Sequence, residues 1–438
     1  MKNYPEIGIQ VTDILLPRPG INMTQWSVIA CDQFTSQPDY WENVRKLVGS
    51  SPSTLNLILP EVFLGKPEEQ KQTELTRQKM AEYLAGDVFV EKEGVILVER
   101  KVDNKTRHGL VLALDLEQYD YNKGSKSLIR ATEGTIIQRL PPRIKIREGA
   151  PLELPHILVL IDDPDCTVIE PFTNKKAELQ KIYNFNLMMS SGHLTGYMIN
   201  QDAHIQQLVE AIKKLADPDV YCQKYGVDIE TGVLLFAMGD GNHSLATAKA
   251  IWEKNKAKVG MDHPSRYALV EIENIHDQGL EFEPIHRVIF DVKENPVSAM
   301  RNYFQNNFRV VSVASANEMK RTVDGQNGSE HAIGLIQSDG FSVAYISNPS
   351  SNLPVGTIQT FLDEWLSKGK AKEIDYVHGA ETVVDLGTEA GNLGIYLPAM
   401  QKSELFKTVI LDGALPRKTF SMGEAHEKRF YLECRKIA

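Results

Sequence analysis

The run Gly232-Val233-Leu234-Leu235-Phe236-Ala237-Met238-Gly239-Asp240-Gly241-Asn242-His243-Ser244-Leu245-Ala246-Thr247-Ala248-Lys249-Ala250-Ile251-Trp252 decides how this chain reads. Residues 232–238 are apolar over a strand's length. From Leu245 the apolar residues fall at helical spacing, at Leu245, Ala248, Ile251 and Trp252. Between them lies Gly239-Asp240-Gly241-Asn242-His243-Ser244. A glycine turn from a strand into a helix start gathers backbone N–H groups and the positive end of a helix dipole at one point, which suits an anion, a phosphate above all. The turn also carries an acid, an amide, an imidazole and a hydroxyl. The structural alternative is plain: Asp-Gly and Gly-Asn are ordinary turn dipeptides, and Asn or Ser is an ordinary helix cap. The pattern G-x-G-x-x-S misses the dinucleotide fingerprint at its third glycine, and no Walker A sequence occurs in the chain.

Outward from this unit the pattern predicts a mixed α/β or α+β protein, with a large mixed-sheet core and a smaller C-terminal α+β portion. Residues 1–290 are assigned to the first region, which carries the 239–244 turn. Residues 291–438 are assigned to the second, which returns the Lys418 loop to the core. Strands are expected at 55–59, 157–161, 194–199 and 267–272, and a hairpin at 88–98. Helices are expected at 70–84, 175–189, 203–216, 296–304 and 357–366. The strand at 157–161 ends in Asp162-Asp163-Pro164-Asp165, a polar turn or a set of metal ligands.

Three further clusters carry chemistry. Residues 125–150 are basic and turn-rich, with Arg130, Arg139, Arg143, Lys145 and Arg147. On an extended strand 143, 145 and 147 share one face, which either binds an anion or guards a sheet edge. Pro284-Ile285-His286-Arg287 pairs an imidazole with a guanidinium. Leu415-Pro416-Arg417-Lys418-Thr419 is a basic loop near the C-terminus.

Composition narrows the class. The chain has 438 residues, 42% hydrophobic and 24% charged, and a formal net charge of −10. That balance fits a folded globular protein and argues against one whose main task is gripping nucleic acid. The four cysteines, Cys31, Cys166, Cys222 and Cys434, form no C-x-x-C pair, so neither zinc nor a disulfide framework is expected. Nothing points to haem or flavin. With no spanning run and no signal-like h-region, a cytoplasmic protein without a membrane partner is expected.

Together the motifs resemble the DUF1015 family of bacterial and archaeal proteins. Asp240-Gly241-Asn242-His243 is similar to its D-G-H-H-R turn. Gly279-Leu280 with Pro284-Ile285-His286-Arg287 is similar to its G-L-x-x-x-P-T-H-R, and 415–419 to its M-P-x-K-S-T. The resemblance extends over nearly the whole chain. Two positions depart: Asn242 replaces the second turn histidine and Ser244 the arginine; if that arginine holds a phosphate in typical members, Arg287, Lys418 or the 143–147 face is expected to serve in its place. The family's function is not established. Its turn also resembles the phosphate turn of the ParB/sulfiredoxin fold, whose members include nucleotide binders and free-serine kinases, and its members are often encoded beside serine-biosynthesis enzymes. The resemblance thus implies phosphoryl chemistry on a small metabolite.

Three functions fit these residues. The first is a small-molecule phosphotransferase. Gly239, Gly241, Asn242 and Ser244 cradle phosphate, Asp240 holds Mg²⁺ or accepts a proton, and His243 acts as acid–base. Arg139, Arg143, His286, Arg287, Lys418 and Thr419 bind the charged substrate, a nucleotide among the expected ligands. The second is a binding or regulatory protein for a nucleotide or phosphorylated metabolite, without catalysis. The third is a metal-dependent phosphatase using Asp162, Asp163, Asp240 and His243.

Overall fold

The computed structural model describes residues 1–134, 140–326 and 328–438. Arg139 lies outside the described residues. Two compact units emerge, one of Met1–Glu281 with Gly423–Ala438, the other of Phe282–Met422. The fold is mixed α+β, as expected from the pattern. No helix among the described residues is long and apolar enough to cross a membrane.

The first unit is built on an eleven-stranded mixed sheet. Its order is Gln180–Asn186, His193–Ile199, Phe89–Val102, Ile9–Pro17, Lys105–Asp115, Tyr267–Asn274, Leu158–Ile161, Phe236–Asp240, Ile129–Arg130 and Tyr119–Asp120, with Lys2–Tyr4 pairing on Ile9–Pro17. Alternation along these strands feeds two cores, because successive side chains leave on opposite faces. Leu110, Leu112 and Leu114 join Val159, Val270 and Trp252 in one. Val111 and Ala113 join Leu269, Trp26, Trp41 and Tyr431 in the other. Tyr267–Asn274 is buried at every position, as a central strand must be.

The strand entering the glycine turn is Phe236–Asp240, shifted towards the turn from the expected 232–238. It runs antiparallel to Leu158–Ile161, with Asp240 opposite Leu158 and a register shift between Met238 and Asp240. That irregularity falls at Gly239 and re-aims the residue after it. Tyr267–Asn274, which follows the helix, is parallel to Leu158–Ile161 and so antiparallel to Phe236–Asp240. The unit is therefore not a parallel βαβ crossover, in keeping with the missing third glycine of the dinucleotide motif.

Four local expectations are corrected. The hairpin expected at 88–98 is part of one long strand, Phe89–Val102, which pairs with Ile9–Pro17 and Lys105–Asp115 instead of folding back on itself. Residues 143–147 are not extended: Leu140–Arg147 is a helix, opened by Pro141-Pro142 in its first turn, where proline costs no hydrogen bond. The helix expected at 175–189 is replaced by a short turn and the strand Gln180–Asn186, paired in a hairpin with His193–Ile199. Its signal is the period-two recurrence of Tyr183, Phe185 and Leu187, hidden behind the lysines and glutamates before it. The expected strand at 55–59 is the 3₁₀ turn Thr54–Leu57, with the Ser53 hydroxyl accepting the Leu55 N–H.

The second unit is a seven-stranded sheet, ordered Phe308–Val313, Gly340–Ile346, His331–Gln337, Leu393–Tyr396, Phe282–Phe290 and Glu373–His378, with Phe420–Met422 paired to Phe282–Phe290. The pairings are antiparallel. Helices Pro296–Phe304, Ala316–Asp324, Pro354–Ser367, Ala380–Gly387 and Lys402–Asp412 accompany it. Its core includes Val288, Met319, Val323, Ile336 and Val343. It is the segment from Gly423 onward, not the Lys418 loop, that belongs with the first unit.

Candidate functional site

Gly241 caps the 18-residue helix Asn242–Val259 in a left-handed conformation, φ +81°. A Cβ there would stand 3.1 Å from Ile157, so both the dihedral and the packing call for glycine. Gly241→Ala is expected to cost about 1–2 kcal/mol, read as a lower urea midpoint; an unchanged midpoint would show that neither constraint is felt.

Around this turn the first unit assembles groups from distant sequence. Asp240 Oδ1 accepts the N–H of Gly241 at 2.8 Å. Asp240 Oδ2 lies 3.1 Å from Nζ of Lys428. Burial works to raise this carboxyl's pKa, but the Lys428 ammonium and then His156 outweigh it and hold it below the usual 3.8. Asn242 Oδ1 accepts the N–H of Thr132 at 3.3 Å, and the Thr132 hydroxyl donates to the carbonyl of Met238 at 2.7 Å, locking the strand end to the helix start. The carbonyl of His243 accepts the Thr247 hydroxyl at 2.7 Å. Ser244 Oγ is 3.0 Å from Nε2 of His156, a buried imidazole just before the strand Leu158–Ile161.

The C-terminal segment fixes this arrangement. After Lys428, Arg429 donates from Nε to Glu271 at 2.6 Å and from Nη2 to Glu433 at 2.8 Å, and also to the carbonyl of Pro155. The Tyr431 hydroxyl is 2.8 Å from His156 Nδ1. Arg435 donates to Glu153 at 2.7 Å. Each of these charged groups is almost wholly buried, so each is matched.

Glu273 sits in the same interior, its Oε1 2.7 Å from Nε of Arg107. Burial pushes its carboxyl up to about 8 against the pull of Arg107, with Glu271 and Asp277 adding repulsion. A folded-state pKa above the unfolded one gives stability that is full below the unfolded value and lost as pH rises through the folded value. Unfolding midpoints in urea should therefore decline between about pH 5 and about pH 8.5, and Glu273→Gln should flatten that decline. A wild-type profile that is already flat would show Glu273 ionised throughout.

The other expected site residues fall elsewhere. Asp162 lies beyond the far end of the strand Leu158–Ile161, roughly 13 Å along it from the Asp240 register at about 3.3 Å per residue. Its carboxylate is taken by Tyr225, by His276 Nε2 at 2.7 Å and by Lys224 at 2.9 Å. Asp163 caps the following turn, accepting the N–H groups of Thr167 at 2.6 Å and Val168 at 2.8 Å. The ligand set of the phosphatase reading is thus not assembled. Asp240, the other carboxylate expected to hold Mg²⁺, is paired with Lys428. Donor atoms of Asp103, in the turn between the strands Phe89–Val102 and Lys105–Asp115, and of His426 and Glu427, on the C-terminal segment, do converge within 4.8 Å of one another. Arg143 pairs with Glu61, and Arg147 with Glu153, from the helix Leu140–Arg147.

His286, Arg287, Lys418 and Thr419 belong to the second unit. Arg287 is fully buried and donates to Gln359 Oε1 at 3.2 Å, to the Arg417 carbonyl at 3.0 Å and to its own strand at Ile285. Burial, then Arg287, His378 and Lys320, push His286 down to about 4, so it is neutral near pH 7 and its Nδ1 accepts the Leu397 N–H at 3.2 Å. Thr419 donates to the Pro416 carbonyl at 2.6 Å, and Lys418 is exposed. The two motifs thus hold loops of the second unit. Those loops wall a cavity of about 410 Å³ whose lining includes His331, Asn352, Leu397, Met400, Gln401 and Thr419.

A family model described as a protein of unknown function (DUF1015) matches residues 15–365. The chain belongs to the DUF1015 family. No curated protein matches it. Among solved structures it is similar to a free serine kinase in complex with AMP, at 12% identity over 77% of this chain and 92% of that one, TM-score 0.36. A conserved hypothetical protein from Pyrococcus furiosus aligns at 14% identity over 74% and 90%, TM-score 0.34. SbnI with a C-terminal truncation, from Staphylococcus aureus, aligns at 10% over 72% and 82%, TM-score 0.34.

Lys428, His156, Thr132 and Tyr431 are the site residues that sequence reasoning missed. The available signals were a Lys-Arg pair inside the apolar-rich C-terminal run and a histidine directly before a buried strand. Neither carries spacing information towards the turn.

Proposed function

We propose that the glycine turn binds the phosphate of a nucleotide or phosphorylated metabolite and that the protein transfers a phosphoryl group to a small-molecule hydroxyl. The observation that carries this reading is the Asp240–Lys428 pair at the start of a helix entered through glycine. The first-turn N–H groups of a helix have no intrahelical partner and favour an anion. Lys428 is the cation that stands in for the arginine replaced by Ser244. Drawn to phosphoryl oxygens, its ammonium leaves Asp240, whose carboxylate then accepts the proton of an attacking hydroxyl. His243, at the same helix start, hydrogen-bonds the phosphate.

A second reading, binding without turnover, is favoured by one feature. An aspartate with a lowered pKa is a weak proton acceptor for as long as Lys428 stays on it. Long incubation of donor and acceptor separates the two: product supports transfer, and tight binding without product supports the second reading.

Thermal unfolding with ATP, ADP, phosphoserine and inorganic phosphate tests the shared premise. Wild type should be stabilised by a few degrees by at least one of them. Lys428→Met and His243→Ala should lose most of that shift. No shift with any of the four would remove the anion site.

A further inference from the structure

Ser244 stands in the first turn of the helix that leaves the glycine turn, and the structure surrounds it with more than a cap requires. Its Oγ is 3.0 Å from His156 Nε2. The Tyr431 hydroxyl donates to Cys31 Sγ at 3.1 Å and accepts the Cys31 N–H at 3.3 Å. Tyr431 Oη also lies 2.8 Å from His156 Nδ1. In the Nδ1–H tautomer Oη accepts that proton, and the bare Nε2 accepts the Ser244 hydroxyl proton. Cys31 is held as a thiol, since burial pushes its pKa well above the usual range. The Tyr431 ring also meets the imidazole edge to face, centroids 5.4 Å apart, which fixes its plane. A hydroxyl bonded to an oriented base is the arrangement of an activated nucleophile.

We propose that Ser244 is a covalent nucleophile, activated by His156, which takes the phosphoryl group before it passes to the acceptor. This rests on the phosphotransfer reading and supplies its intermediate. In the first step Ser244 Oγ bonds to the donor's phosphorus and the bond to the leaving oxygen breaks, the leaving group keeping the electron pair. The Oγ proton moves to His156 Nε2. In the second step the acceptor's hydroxyl oxygen bonds to phosphorus, its proton passing to Asp240 and on to water. The Oγ–P bond breaks, and Oγ recovers its proton from His156. Tyr431 is a positioning residue, acting through the Nδ1–H tautomer.

Two exposures of the full chain test this, each read by intact mass and peptide mapping. An aryl fluorophosphonate should label Ser244 with loss of fluoride, and ATP without acceptor should add one phosphoryl group at the same residue. Ser244→Ala should lose both. His156→Gln should slow labelling roughly a hundred-fold or more. Tyr431→Phe keeps the ring while removing the hydroxyl, so slower labelling in that variant supports the relay even if His156→Gln fails to fold. No label, a label on another residue, or an unchanged rate in both relay variants would overturn the proposal. Phosphate-induced stabilisation of the wild type separates this from the parent reading. A wild type that is stabilised by phosphate yet takes no label leaves the anion site standing and the serine intermediate refuted.

Discussion

Asp240→Asn is expected to lower turnover by roughly 10²–10⁴-fold, the range for loss of a positioned acid–base group, and to leave phosphate-induced stabilisation in place. Asparagine keeps the shape and still accepts the Gly241 N–H now held at 2.8 Å. It has no negative charge for Lys428, so that ammonium is released towards an anion and phosphate affinity is equal or greater. It cannot take a proton from an attacking hydroxyl. The measurement is conversion of ATP to ADP with a panel of small hydroxyl compounds, serine included, beside thermal shift with inorganic phosphate. Unchanged turnover would take Asp240 out of the chemistry. Loss of both turnover and phosphate stabilisation would instead make the Asp240 carboxylate a scaffold for Lys428.

Arg429→Met has the largest expected effect on folding, about 3–5 kcal/mol lost from the free energy of unfolding. Its guanidinium is 4% exposed and is shared between Glu271, Glu433 and the carbonyl of Pro155. Removing it leaves two buried carboxylates without their cation, and that uncompensated charge accounts for most of the penalty. Glu433 keeps the Tyr183 hydroxyl at 2.6 Å, a neutral partner that cannot replace a charge. Urea unfolding reads the loss. The triple variant with Glu271→Gln and Glu433→Gln should recover a large part of it, since no net charge is then left buried. A loss below about 1 kcal/mol in the single variant, the scale of an exposed pair, would mean that the cluster is hydrated rather than sealed. Because Arg429 lies between Lys428 and Tyr431, the single variant should also weaken phosphate binding and Ser244 labelling together.

What could be read along the chain was local. The strand, glycine turn and helix at 232–252 were legible because each rests on short-range physics: a buried apolar run, a left-handed position that only glycine fills cheaply, and a 3.6-residue period. The helices at 70–84 and 296–304 were legible for the same reason. Errors came where local signals conflict. Pro-Pro ahead of Arg143 reads as a break, yet proline is welcome in a helix's first turn. The two lysines and the glutamate of 175–180 read as helix, and the edge strand after them is set by its hairpin partner.

The site divides along the same line. The sequence by itself determined the turn, its capping helix, its aspartate and the two departures from the family pattern at Asn242 and Ser244. It could not say which cation answers for the lost arginine, because charge has no address in one dimension. Tertiary structure alone decides which cation stands beside the turn. A return of Gly423–Ala438 into the first unit brings Lys428 to Asp240, and Tyr431 to a histidine 275 residues away. Arg287 and His286, which carry strong motif signal, are sealed in the second unit holding loops. The physical reason is that a guanidinium or imidazole has the same valence for a carbonyl as for a phosphate. Only burial and the neighbours present tell the two roles apart.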